Sequence, residues 1–243
     1  MTIGALIQIE PTTRCNLACR TRSREQGTKI IDISEKTLYA ILGVHKSIHW
    51  IKLQGLGEPF MHPDFGKICE IASSYAPIST TTNGMFIDFN IVREMSNINI
   101  SVDSIDPIYC KMLKGNNYNI SKVLSNVLIA SSLTETRITL VRSIHNLDHI
   151  SGVQDFCDKN GLRLIINPVE NWYAPRQDGY TRAHTEVIRE REIFGKIPKR
   201  MGNCTWRNGH SYYYSADGTR RPCCIRMSYN GISDKECCAT CPD

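Results

Sequence analysis

The sequence predicts an α/β fold, a partial (β/α)6 TIM-like barrel followed by a small C-terminal cysteine-rich module. Short apolar or β-branched runs alternate with amphipathic stretches from the N-terminus to Val169, which is typical of a parallel sheet with right-handed crossovers. A closed eight-fold barrel takes about 250 residues, whereas these repeats stop near Val169 in a chain of 243 residues. An incomplete barrel is therefore favoured, and a doubly wound open sheet is the alternative.

The individual elements follow from local patterns. Strands are predicted at ALIQIEP (5–11), IHWIKLQ (48–54), PISTTTNG (77–84), NINISVDS (97–104), RITLVRS (137–143) and LRLIINPV (162–169). Helices are predicted at EKTLYAILGVHKS (35–47), DFGKICEIASSY (64–75), ISKVLSNVLIASS (120–132) and LDHISGVQDFCDKNG (147–161). Ser34 is placed to cap the first of these helices. We therefore divide the chain into the barrel (1–170), a basic linker with one short helix (171–203) and the cysteine-rich module (204–243).

The charge and hydropathy of the sequence indicate which partners and which cell compartment to expect. The formal net charge is +5, and arginine and lysine gather between Arg176 and Arg226. They could meet an acidic substrate, a peptide or a phosphate, or form a solvated surface. Nucleic acid is the least favoured partner because no recognisable module interleaves these charges with aromatic residues. The opening MTIGALIQIE has no pattern of a secretion signal, and no apolar run reaches about 18 residues, so we expect a cytoplasmic protein without membrane contact.

Eleven cysteines are many for a chain in a reducing compartment, where clustered cysteines are more often metal ligands than disulfides. One group is Cys15 and Cys19. The other is Cys204, Cys223, Cys224, Cys237, Cys238 and Cys241. The remaining cysteines stand alone in apolar surroundings and are expected to be buried: Cys69, Cys110 and Cys157.

Polar and glycine signals follow the predicted strands, where functional residues of such folds lie. They are Cys15 and Cys19 after the first strand, GLGEP (55–59) after the second, Asn83 and Gly84 after the third, Ser101 and Asp103 on the fourth, and Arg142 at the end of the fifth. Alternation along a strand places Ser101 and Asp103 on the same face. For Asp103 the alternative is a helix cap.

The segments IEPTTRCNLACRTRSR, LQGLGEPFMHPDF, TTNG and ISVDS, together with the cysteine-rich C-terminus, resemble the radical S-adenosylmethionine (radical SAM) superfamily and its SPASM/twitch subgroup. The resemblance covers essentially the whole chain. It implies that a Cys-x3-Cys-x2-Cys loop binds a 4Fe-4S cluster, whose open iron holds S-adenosylmethionine. An electron from a donor such as flavodoxin or ferredoxin then generates a 5'-deoxyadenosyl radical. The implied activity is hydrogen abstraction, as in an oxidoreductase, from a peptide or a small-molecule substrate.

The resemblance assigns the first two cluster ligands to Cys15 and Cys19, but the third position is Arg22. A guanidinium is permanently charged and offers no lone pair to iron, so the chain as given is expected to be impaired. Three explanations stay open: a sequence altered from a parent with cysteine, a natural homologue that has lost radical chemistry, or another ligand that rescues the cluster. The alternative function is a non-catalytic binding protein that keeps only the C-terminal metal site.

The resemblance also assigns cofactor contacts. Gly57 and Glu58 match an element that receives the methionine ammonium, Asn83 closes the third strand near the cofactor, and Ser101, Asp103 and Arg142 match contacts to its ribose or carboxylate. The C-terminus resembles a twitch module, with a hairpin turning at Asp217 and Gly218. Cys204, Cys223, Cys238 and Cys241 would hold one auxiliary 4Fe-4S cluster, with Cys224 and Cys237 as spares; four cysteines in this arrangement also suit a structural zinc ion.

Overall fold

The computed structural model describes residues 4–19, 29–142, 146–168 and 210–221. In these residues one eight-stranded sheet has the order β6-β5-β4-β3-β2-β1-β7-β8. The strands are β1 (Ala5–Ile9), β2 (Ile48–Leu53), β3 (Ile78–Thr82), β4 (Asn97–Ser101), β5 (Glu135–Arg142), β6 (Arg163–Pro168), β7 (Ser211–Tyr214) and β8 (Arg220–Arg221).

The strand order distinguishes the two folds that the sequence allowed. From β1 to β6 every strand lies beside its predecessor, and all these pairs are parallel. A doubly wound sheet reverses its strand order at a switch point, and β1 to β6 contain no such reversal. The strand order and the parallel pairing of β1 to β6 confirm the partial barrel, and the doubly wound alternative is wrong.

Six α-helices connect the strands in the described residues. They are α1 (Glu35–Gly43), α2 (Phe65–Ser73), α3 (Phe89–Arg93), α4 (Pro107–Lys114), α5 (Ile120–Ser131) and α6 (Ile150–Lys159), with short 3-10 helices at Pro59–Met61 and Leu147–His149. The predicted cap of α1 is confirmed, since the Ser34 side chain accepts a hydrogen bond from the backbone N–H of Thr37. Neither α3 nor α4 was predicted from the sequence.

Two hydrophobic clusters form the core. One packs β1 and β2 against α1 and α2, and the other packs β4 and β5 against α5 and α6. Cys69, Cys110 and Cys157 are buried in these clusters, as expected. Burial raises the pKa of Cys110 and that of Cys157 to about 11, so both thiols stay protonated near neutral pH. They are structural residues.

The strand β7 joins the barrel sheet although the sequence analysis assigned its residues to the C-terminal module. It pairs with β1 in parallel, and β8 returns antiparallel beside it. The predicted turn at Asp217 and Gly218 is confirmed, with Gly218 at φ +83°. The boundaries at 170/171 and 203/204, and the linker between them, lie outside the described residues and stay predictions. No helix in the described part is long and apolar enough to cross a membrane.

Neighbouring residues of β1 test how the core stabilises the fold. Ile7 is fully buried, whereas the side chain of Leu6 is on the opposite face and 37% exposed. We expect Ile7→Ala to lower the free energy of unfolding by about 2 to 5 kcal/mol, because it removes apolar contacts and leaves a cavity. Leu6→Ala should cost about 1 kcal/mol or less. Urea denaturation of both variants measures the difference, and equal losses would contradict this assignment of the two faces.

Candidate functional site

The turn after β2 lies directly against the segment that follows β1. The Glu58 N–H donates a 2.6 Å hydrogen bond to the carbonyl oxygen of Arg14. A Cβ atom at Gly57 would overlap the carbonyl oxygens of Thr12 and Arg14, so only glycine permits this approach. The GLGEP turn therefore supports the backbone immediately before Cys15.

The Glu58 carboxylate ties this turn to the end of β3. The side chain is only 1% exposed, and it accepts hydrogen bonds from the Thr82 hydroxyl (2.6 Å) and the Asn83 N–H (2.7 Å). The Asn83 side-chain amide donates to the Asn16 side-chain oxygen at 2.9 Å. Asn16 lies between the two cysteines of the N-terminal motif. Glu58 and Asn83 are thus brought together and hold the cysteine segment, while the cofactor roles expected for them stay predictions.

The C-terminal end of α4 contacts the same segment from the other side. Gly115 follows α4 with φ +99°, and a Cβ at this residue would lie 3.8 Å from the backbone nitrogen of Ala18. Lys114, the last residue of α4, lies close enough to Cys19 for the two to interact electrostatically. The segment from Cys15 to Cys19 therefore sits between the ends of β2 and β3 and the end of α4.

An ion pair joins the residue before this segment to Asp32. The Arg14 guanidinium contacts both carboxylate oxygens of Asp32, with nitrogen to oxygen distances of 2.9 to 3.0 Å. The Thr12 hydroxyl donates to the same carboxylate. Burial by itself would raise the pKa of Asp32, but the hydrogen bonds from Thr12 and Arg14 outweigh it and hold the pKa below its usual range. The carboxylate therefore stays charged at neutral pH and keeps this contact.

The residues predicted on the fourth and fifth strands also lie at this edge, with two corrections. The strand β4 ends at Ser101, so Asp103 lies beyond it, although the predicted strand ran to residue 104. The two side chains nevertheless lie on the same side, as predicted, since both contact the Lys114 ammonium. The Asp103 carboxylate accepts a hydrogen bond from the Val141 N–H (2.9 Å) and forms an ion pair with Lys114 (3.0 Å). The cap of α4 is Asp106, so the cap alternative for Asp103 is wrong. Arg142 ends β5 as predicted.

Glu10 is a buried carboxylate that the sequence analysis missed. It follows β1, is 2% exposed, and accepts hydrogen bonds from the backbone N–H groups of Leu56 (2.6 Å) and Ala216 (3.3 Å). Burial raises the pKa of Glu10, although the hydrogen bonds from these backbone groups and from Gly57 favour the charged form. Glu10 thus joins the GLGEP turn to the hairpin of β7 and β8. The strand predicted at 5–11 included Glu10, so no strand-end signal marked it in the sequence.

Of the two cofactors that the resemblance implies, the residues at this edge suit S-adenosylmethionine but not a 4Fe-4S cluster. S-adenosylmethionine carries hydrogen-bonding amino-acid and ribose groups, and the Ser101 hydroxyl and the Arg142 guanidinium at neighbouring strand ends suit it chemically. A 4Fe-4S cluster needs three thiolates here, whereas the motif offers only Cys15 and Cys19 besides Arg22, which lies outside the described residues. In the described part, no three His, Cys, Asp or Glu side chains come together to hold a metal. The N-terminal residues present do not fit the cluster.

The ligands expected for the auxiliary site are not described by the structure. Cys204, Cys223, Cys238 and Cys241 lie outside the described residues, as do Cys224 and Cys237. Iron-sulfur and zinc therefore both stay predictions for this module.

No family model matches the chain. In sequence it is similar to a probable GTP 3',8-cyclase of Methanococcus maripaludis, with 27% identity over 76% of this chain and 64% of that protein. It is also similar to the GTP 3',8-cyclase of Chlorobaculum tepidum, with 24% identity over 97% of this chain and 73% of that protein. The chain thus spans less than two thirds of the length of the first of these relatives.

Solved structures share the fold. SuiB of Streptococcus suis, bound to its precursor peptide SuiA, matches with a TM-score of 0.73 and 15% identity over 96% of this chain and 62% of that chain. The protein anSMEcpe with bound AdoMet matches with a TM-score of 0.65 and 16% identity over 91% of this chain and 75% of that chain. The sequence relatives and these structures support the resemblance to the radical SAM superfamily.

Replacing the buried Glu10 carboxylate tests the link between the turn and the hairpin. We expect Glu10→Gln to lower the free energy of unfolding by about 1 to 3 kcal/mol, because both hydrogens of an amide NH2 then face backbone N–H groups, whereas a carboxyl group carries at most one hydrogen, which can turn away. The stability that Glu10 contributes is complete below its unfolded pKa and is lost as the pH rises through the raised folded pKa. The difference between native chain and variant should therefore be largest at low pH.

Urea denaturation between pH 4 and pH 7 measures this difference. The matched control is Glu94→Gln, at an exposed carboxylate, which should change the free energy of unfolding by about 0.5 kcal/mol or less. A difference for Glu10→Gln that grows with pH would contradict the raised pKa.

Proposed function

We propose that this chain is a radical SAM enzyme scaffold that binds S-adenosylmethionine at the C-terminal edge of β1 to β5. The observation that carries the proposal is the position of the Cys15–Cys19 segment, which lies between the GLGEP turn, Asn83 and the end of α4. Functional sites of parallel α/β folds are built from the loops at this edge. Similarity in fold to a protein with bound AdoMet supports the same reading.

Different residues of this chain would bind different parts of S-adenosylmethionine. The backbone of the turn at Gly57 and Glu58 and the end of β3 at Asn83 would receive the amino-acid part, and Ser101 and Arg142 the ribose or carboxylate. When bound beside a reduced cluster in this superfamily, S-adenosylmethionine supplies a 5'-deoxyadenosyl radical. Arg22 occupies the position of the third thiolate, so we propose that the chain as given binds the cofactor without cleaving it.

The chain could instead be a natural, non-catalytic binding protein, and Arg22 is the observation that favours this alternative. In both cases we propose a cytoplasmic protein whose C-terminal cysteines hold one metal site. The resemblance favours an auxiliary 4Fe-4S cluster there over zinc. A catalytic form would also need an external one-electron donor such as flavodoxin or ferredoxin.

For the substrate, the sequence relatives favour a nucleoside triphosphate over the peptide that the sequence analysis also considered. Both relatives are named GTP 3',8-cyclases, and their similarity covers 76% and 97% of this chain. A peptide partner rests on likeness of fold to SuiB. The arginines and lysines between Arg176 and Arg226 suit a triphosphate by charge. We therefore propose GTP as the first ligand to test.

Restoring the third thiolate tests the proposed chemistry. After anaerobic reconstitution with iron and sulfide, we expect the chain as given to hold about one cluster and the Arg22→Cys variant about two, since three thiolates complete the N-terminal site. With dithionite and S-adenosylmethionine, only Arg22→Cys should form 5'-deoxyadenosine. Iron and sulfide analysis and chromatography measure both results.

Arg22→Ser is the matched control, because it removes the guanidinium without adding a thiolate, and it should behave as the chain as given. Formation of 5'-deoxyadenosine by the chain as given would refute the ligand argument. Zinc in place of iron in the purified chain would support the structural zinc site at the C-terminus.

Ligand binding tests the substrate class separately. We expect GTP to bind at least about 10-fold more tightly than guanosine, because charge-assisted hydrogen bonds to the phosphates contribute 1.5 to 3 kcal/mol each, by a rough estimate. The affinity for GTP should fall as the salt concentration rises. Isothermal titration calorimetry measures both. Equal affinity for GTP and guanosine would count against a triphosphate substrate.

A further inference from the structure

Lys114 is a buried ammonium group at the edge where the cofactor is proposed to bind. Its side chain is 6% exposed. The Nζ atom donates to Asp103 Oδ2 at 3.0 Å, to the Ser101 carbonyl oxygen at 2.8 Å and to Ser101 Oγ at 3.2 Å. An ammonium has three donors, so these contacts account for all of them. Through hydrogen bonds, Lys114 therefore acts on Ser101 and Asp103.

Asp103 is engaged within the protein on both oxygens. Oδ2 pairs with Lys114, Oδ1 accepts from the Val141 N–H, and the side chain is 13% exposed. Burial by itself would lower the pKa of Lys114, but the attraction of Asp103 outweighs it and the pKa is raised. The Lys114 ammonium is therefore charged at neutral pH, and its ion pair with Asp103 compensates that charge in a place with little water.

Ser101 differs from Asp103 because its hydroxyl keeps a proton to donate. A hydroxyl has one donor and two acceptor lone pairs. Since Oγ accepts from the Lys114 ammonium, the hydroxyl proton points away from Lys114. Tyr118 closes the other side of the ammonium, with its ring centroid 5.1 Å from Nζ and its side chain 1% exposed. Lys114 is therefore held on several sides, and the Ser101 hydroxyl proton is directed away from it.

We propose that Lys114 is a positioning residue of the cofactor site, which neutralises Asp103 and fixes the Ser101 hydroxyl as a hydrogen-bond donor to the cofactor. The cofactor atom that meets Ser101 is then an acceptor, a ribose or carboxylate oxygen. Asp103 acts through Lys114 and does not itself contact the cofactor. The inference rests on the proposed function, because it requires that S-adenosylmethionine binds at this edge.

The test titrates S-adenosylmethionine, without reductant, into the full chain and records the Kd and the Tm. The variants are Ser101→Ala, Lys114→Met and the double variant Asp103→Asn/Lys114→Met, which removes both charges of the pair. The matched control is Lys111→Met, an exposed lysine one turn earlier on α4. It should change neither the Kd nor the Tm.

We expect Ser101→Ala to raise the Kd by about 2-fold to 12-fold, the loss of one hydrogen bond. Its Tm should fall less than that of Lys114→Met, because it removes one acceptor of the buried ammonium and leaves the ion pair with Asp103 intact. Lys114→Met leaves the Asp103 carboxylate without its partner, so the Tm should fall by about 6 °C or more. In the double variant the Tm should recover most of this loss, while the Kd stays raised, at most as far as in Ser101→Ala, because the hydroxyl remains but is no longer oriented. If Lys114 only stabilised the fold, the Kd of the double variant would recover together with its Tm.

Each other outcome overturns the inference. If the Kd of the double variant recovers together with the Tm, Lys114 only stabilises the fold, and the proposed function still stands. If Ser101→Ala leaves the Kd unchanged, Ser101 is not the donor. If the starting chain binds no S-adenosylmethionine, the proposed function fails and this inference fails with it.

Discussion

The close approach of the turn after β2 to the segment after β1 is the contact on which the rest of the edge depends. Gly57 allows it because it has no side chain, and the Glu58 N–H then reaches the carbonyl oxygen of Arg14. From that position the Glu58 carboxylate holds the end of β3, and Asn83 holds Asn16. The position of the cysteine segment is thus set by backbone groups and buried side chains, which restrict it before any ligand arrives.

The sequence predicted the six parallel strands well because buried β-branched runs and amphipathic stretches have different periods. It missed α3 and α4 because five and eight residues contain too few turns for a helical period to emerge. Both helices do begin with a local signal, since Asp88 and Asp106 cap them. The predicted strand extended to Asp103 because the alternation of polar and apolar residues continues past the end of β4. A polar residue that binds a neighbouring strand looks the same in sequence as one that faces a site.

The sequence also predicted where the site residues lie, but not what they contact. A lysine in the last turn of a helix is normally solvated, so nothing marked Lys114 as buried beside Asp103. Glu10 accepts a hydrogen bond from Ala216, which is 206 positions away, and no local pattern contains that pairing. Strand-end positions follow from periodicity, whereas partners across the sheet depend on the packing of the whole domain.

The pairing of β7 with β1 has a consequence for how the chain folds. The first strand is central in the finished sheet, yet one of its two neighbours comes from the far end of the chain. At typical synthesis rates the intervening stretch of about 200 residues takes roughly 10 to 40 seconds to make. During that time β1 lacks β7, the strand that pairs with this side of it in the described residues, and an open edge can capture a strand from another molecule. Self-association of nascent or truncated chains is therefore the hazard of this topology, and the arrival of β7 removes it.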